Sequence, residues 1–135
     1  MEAQQKTVSH ALGEIVWLLS SSPIYKQLHI SDLEWMVMPP MLLNQFRIFK
    51  DGKQPIGFAL WAYLSVEVET RMLQENKNGE EFRLKPEEWK SGDRLWLIEL
   101  VSPYHSEKNK LNEQLVADLV KNIFKENKFK FIRNA

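Results

Sequence analysis

The stretch "RLWLIELV", residues 94–101, constrains the fold most, because from Leu95 to Val101 only Glu99 is polar. Such a run suits a strand covered on both faces, which places it in the middle of a sheet. A turn at Ser91 to Asp93 precedes it. A loop and then "KLNEQLVADLVKNIFKEN" follow, with Leu111, Leu115, Val116, Leu119, Val120 and Ile123 on one stripe of an amphipathic helix. "KFKFIR" closes the pattern as a short alternating strand. Upstream, "FRIFKDGKQPIGFALWAYL" reads as a β-hairpin turning at "DGK", with Pro55 tolerated at the start of the returning strand.

The remaining segments are helical or irregular. "HALGEIVWLLSSS" puts Leu12, Ile15, Val16 and Leu19 on one helical face and ends at three serines and Pro23. A second helix starts at Ser31 or Asp32, either a good N-cap. It is expected to break at Pro39-Pro40 into an extended exit. Residues 65–90 begin with an alternating run, "SVEVET", turn helical at best, pass a polar loop around "ENKNGEE", and reach a short turn opened by Pro86 that contains Trp89. Helix, helix, hairpin, excursion, central strand, helix and strand make an α+β mixed sheet with flanking helices and a crossover helix after its central strand. Trp17, Trp35 and Trp61 are expected in the core.

Composition narrows the function classes. A chain of 135 residues is expected to be one domain, 1–135, with a substantial core. Eighteen basic and eighteen acidic side chains cancel, so no whole-molecule field draws it to nucleic acid or an acidic membrane. With no cysteine, disulfides, zinc thiolates and a thiol nucleophile are excluded. No metal and no bound cofactor are expected. The polar start "MEAQQKTVSH" is unlike a signal peptide, and no apolar run reaches the roughly 18 residues that span a bilayer. A cytoplasmic protein without stable membrane insertion is expected.

Read together, "LGEIVWLLSSSP", "LLNQF", "LWAYLS" and "SGDRLWLIELVSP" resemble, in order and spacing, the toxin-activating lysine acyltransferases. The layout is similar to the fold of the Gcn5-related N-acetyltransferases, including the glycine early in the returning hairpin strand. The resemblance spans about Leu12 to Arg133, and family members usually continue beyond the point where this chain ends. It implies a protein-lysine acyltransferase that fatty-acylates internal lysines of an RTX protoxin. It also implies acyl carrier protein, as its phosphopantetheine thioester, for the co-substrate, and a homodimer. Proteins of that family carry a Ser-x-x-His arrangement after the first helix and an aspartate after the proline that ends the central strand. Ser22 matches the serine, Tyr25 stands at the histidine position and Ser106 at the aspartate position.

These departures raise a second expectation, a catalytically impaired homologue that binds carrier protein or protoxin. A tyrosine with a pKa near 10 is a poor base, and a serine does not orient an imidazole as a carboxylate does. His105 offers a replacement imidazole, with Tyr25 as its hydrogen-bond partner or as a general acid. Glu99, costly to bury unpaired, either leans into a polar site that binds the amine or faces an edge. The loop "HSEKNKLN" has no glycine, which disfavours a coenzyme A pyrophosphate site and weakens a small-molecule N-acetyltransferase reading. Lys108, Lys110, Lys121 and Lys125 are candidate docking charges for an acidic carrier protein. His10 and His29 are expected to have no role.

Overall fold

The computed structural model describes the chain from residue 2 to 132, with side chains from residue 8 onward. A four-stranded sheet of order β1-β2-β3-β4 organises it. Strands β1 (Phe46–Asp51) and β2 (Gln54–Leu64) form the expected hairpin, closed at Gly52, whose φ of 65° is the left-handed conformation such a turn requires. Strand β3 (Arg94–Val101) runs antiparallel to β2, and β4 (Lys130–Phe131) pairs parallel to β3 at Trp96 and Leu97. The apolar run is thus central. Arg133, the last residue of the expected closing strand, lies outside the described residues.

Each face of the sheet has its own core. Phe58, Leu60, Ala62, Trp96 and Ile98 pack beneath helices α1 (Glu2–Ser20), α2 (Leu33–Met36), α3 (Met38–Leu42) and α4 (Val66–Lys77). Ala59, Trp61, Leu95, Leu97 and Leu100 pack against α5 (Leu111–Leu119) and the π turn Val120–Phe124 that extends it. This is the α+β mixed sheet with flanking helices that the resemblance implies.

Local physics overrides pattern in four places. The buried stripe of α1 is Ala11, Ile15, Leu18 and Leu19, so Val16 lies outside it and Trp17 is 56% exposed rather than core. Pro39 and Pro40 do not force an extended exit. They occupy the first turn of α3, where a backbone N–H has no intrahelical acceptor to lose. "SVEVET" is helical: the Ser65 hydroxyl caps the Val68 amide at 3.2 Å, and Val68 and Met72 fall one turn apart on the buried face. The π turn after α5, closed by Lys125 N–H on the Val120 carbonyl at 2.8 Å, leaves Val120 exposed and buries Phe124.

The turn ahead of β3 has no spare room. A Cβ on Gly92 would stand 2.5 Å from the Leu64 carbonyl oxygen and 2.6 Å from Ser65 Cα, both backbone atoms. Only glycine lets the chain cross the end of β2 so closely.

Candidate active site

A β-bulge in the central strand builds the site. Leu60 pairs with Glu99 but Trp61 pairs with Leu97, so Ile98 is an extra residue on β3. Without it, alternation would carry Glu99 onto the α5 face with Leu95 and Leu97. With it, Ile98 and Glu99 both line one pocket on the opposite side. Leu100 returns to the α5 core and Val101 to the α1 core.

Glu99, 4% exposed, accepts a hydrogen bond from the hydroxyl of Tyr25. Tyr25 is delivered by the end of α1. The Ser20 and Ser21 hydroxyls donate back to the Trp17 carbonyl at 2.7 and 3.0 Å, and the Ser22 carbonyl then accepts the amides of Tyr25 and Lys26 at 3.1 and 3.0 Å. That tight turn swings the Tyr25 ring against the α1-side core. Ser22 itself is buried at the corner.

The pocket holds about 160 Å³. Ile98, Glu99, Met36, Leu84 and Trp89 are its buried inner residues, and Trp35 and Phe82 are half-buried walls. Asn76, Glu80 and Glu81 line its exposed outer side. Two ion-containing clasps hold the walls. Asp32 accepts the Trp35 indole N–H at 3.0 Å and the His29 amide at 2.9 Å, bonds that hold its carboxyl below the usual range. Arg71 on α4 donates twice to Glu88, at 2.5 and 2.7 Å, tying α4 to the 3-10 turn Pro86–Glu88 just before Trp89. That pairing raises the pKa of the guanidinium and lowers that of the carboxyl. A third, Arg94 and the Trp96 indole on Glu69 at 3.1 and 2.7 Å, fixes the first half of β3 to α4.

The other candidates gather elsewhere. His105 Nδ1 accepts the Asn112 amide at 3.1 Å, in the first turn of α5. Ser106 is exposed; its hydroxyl accepts the Asn109 amide at 3.1 Å, and its own amide donates to Asn109 Oδ1 at 2.9 Å. Both residues shape the loop that starts α5. Lys108 and Lys110 are exposed on the same loop, Lys110 with φ 51°. The structure therefore brings Tyr25 and Glu99 together and places His105 and Ser106 in a separate capping cluster. Reading the sequence offered Glu99 as an amine-binding candidate without its partner. It missed the pocket walls at residues 76–84; the one signal for Glu99 was a lone carboxylate in an apolar strand.

Comparison with known proteins gives the family. The profile of the RTX toxin acyltransferase family matches residues 4–135. A leukotoxin-activating lysine-acyltransferase of a Pasteurella haemolytica-like species is 33% identical over 84% of this chain and 66% of its own length. The RTX-II toxin-activating lysine-acyltransferase of Actinobacillus pleuropneumoniae is 32% identical over 70% of this chain and 56% of its own. An uncharacterised protein of Synechocystis is 34% identical over 84% of this chain and 71% of its own. The chain thus spans between about half and two thirds of the toxin-activating relatives it matches. Among the described residues no helix is long and apolar enough to cross a membrane. With a family profile covering nearly every residue, the chain belongs to the RTX toxin acyltransferase family.

Proposed function

We propose that this chain transfers a fatty acyl group from the phosphopantetheine thioester of acyl carrier protein to lysine side chains of an RTX protoxin, with Tyr25 and Glu99 as its catalytic pair. The relatives' names supply the reaction class, and one observation carries the residue assignment: a buried carboxylate, turned out of its strand's alternation by a bulge, meets a phenol 74 residues away. A neutral lysine amine attacks the thioester carbonyl, the C–N bond forms, and the C–S bond breaks. The amine's proton moves to the Tyr25 oxygen as the Tyr25 proton moves to Glu99; the reverse relay, from Glu99 through Tyr25, then protonates the departing thiolate to a thiol and restores the pair. Because the carboxylate holds the proton between attack and loss of the thiolate, the phenol's high pKa is no obstacle. It relays rather than holds the proton. Ser22 anchors the turn that aims Tyr25; His105 and Ser106 position the α5 loop, whose Lys108 and Lys110 suit an acidic carrier protein. The same reading implies a cytoplasmic homodimer.

The test is reconstitution. The protein is incubated with acyl carrier protein charged with a fatty acyl group and with an RTX protoxin, and the protoxin's lysines are read by peptide mass spectrometry. An added acyl mass supports the reading. Unmodified lysines beside retained capture of protoxin or carrier protein support the impaired-homologue reading, which the tyrosine at the family's histidine position favours.

A further inference from the structure

Charge and burial are graded along the pocket. Its inner wall, at Met36, Leu84, Trp89 and Ile98, is apolar and buried, and its outer side carries Glu80 and Glu81, both exposed. With Glu99 inside, three carboxylates line it and, among the described residues, no lysine, arginine or histidine does. Glu81 is partly offset by an exposed contact with Arg83 at 3.3 Å, while Glu80 Oε1 accepts from the neutral side-chain amide of Asn78, also at 3.3 Å. Arg83 also lies 4.3 Å from the centroid of the Trp35 ring, so this wall already takes a cation on its face. A second feature is independent of the acids. The indole N–H of Trp89, 2% exposed, is buried without a hydrogen-bond partner among the described residues. Buried donors are normally satisfied.

We infer that this pocket is the acceptor site, taking the lysine side chain rather than the acyl chain. The inference rests on the acyl-transfer reading above and specifies where its acceptor substrate binds. A lysine matches the gradient, because its four-carbon stem is apolar and its tip is cationic. An acyl chain has nothing for three carboxylates to bind, and the phosphate of a pantetheine arm is repelled by them. The outer glutamates draw in the ammonium. The inner apolar walls then disfavour its charged form and bring the amine, in its nucleophilic state, to Glu99 and Tyr25. On transfer the nitrogen acquires a carbonyl oxygen, an acceptor for the unsatisfied Trp89 donor. The thioester is left to approach from the α5 side.

The five tryptophans give five indole N–H signals in NMR spectra, assignable by single Trp→Phe variants. The probes are Nα-acetyl-lysine N-methylamide, its norleucine analogue and decanoyl-pantetheine, each added without any other substrate. The lysine amide is expected to shift the Trp35 and Trp89 signals while the exposed Trp17 stays put, and the norleucine analogue to shift neither. A Glu80→Gln/Glu81→Gln variant is expected to bind the lysine amide about fivefold more weakly. Equal binding of norleucine, displacement by decanoyl-pantetheine, or no lysine-dependent shift at Trp35 and Trp89 overturns the assignment. Binding is read without transfer, so the two readings fail separately. Lysine binding with no acylation removes the enzyme, and acylation with no lysine-dependent shift removes only the pocket.

Discussion

Two polar clusters flank the C-terminal end of β3, and they differ in every physical respect that matters. Tyr25 and Glu99 lie 74 residues apart, and Glu99 lines a pocket and is a carboxylate that a bulge turned away from its expected face. His105, Ser106, Asn109 and Asn112 lie within eight residues, and their bonds close on the backbone amides at the start of α5. Both clusters contain residue types associated with catalysis. The second satisfies donors that every helix start leaves open. The first puts an acidic side chain where burial is expensive and joins it to a phenol from another element. Residue identity alone would rank the histidine first; the carboxylate–phenol bond on one side and the helix-start bonds on the other reverse the order.

The comparison can be broken by four variants. The largest effect is expected for Tyr25→Phe, which keeps the ring and removes the relaying hydroxyl: acyl transfer should fall about 100-fold per folded molecule, in the range of a general acid–base group, as followed by mass spectrometry over time. Retained transfer would detach the phenol from the chemistry. Next comes Glu69→Ala. Glu69 is also a buried carboxylate, but it is tied to Arg94 and the Trp96 indole, so its loss leaves a buried donor open. A cost of about 2–3 kcal/mol in urea unfolding, with transfer per folded molecule unchanged, would separate a structural buried acid from a working one. Ser106→Ala should cost about 1 kcal/mol, the scale of a lost cap, and leave transfer intact.

The smallest effect concerns pH. Arg71 holds the Glu88 carboxyl below its ordinary 4.5. A depressed folded value means the pair's stabilisation is complete above the unfolded carboxyl's pKa and is lost as pH falls through the folded one. The stability advantage of wild type over Glu88→Gln should therefore be flat near neutrality and shrink below about pH 4.5. An advantage that grows on acidification would contradict the clasp.

Much of the fold was legible because its signals are local. The hairpin shows in alternation and a "DG" turn, and the central strand in its unbroken apolar run. The bulge was not legible, for a physical reason. In a strand covered on both faces either face accepts leucine or isoleucine, so an extra residue leaves no trace in the pattern. Glu99 could therefore be flagged but not oriented, and its partnership with Tyr25 needed the turn at Ser22 to be seen. "SVEVET" alternates like a strand, yet one serine cap and a pair of apolar residues a turn apart make it helix. Trp17 fits a core by type, but its position on α1 faces outward.

The most direct measurement sets the two clusters side by side. Single-turnover transfer from acyl carrier protein to protoxin lysines is measured for Glu99→Gln and His105→Ala, each corrected for folded fraction. Glu99→Gln should slow transfer at least about 100-fold while His105→Ala stays close to wild type. Loss of transfer in His105→Ala with Glu99→Gln near wild type would contradict the assignment of the chemistry to the bulged strand.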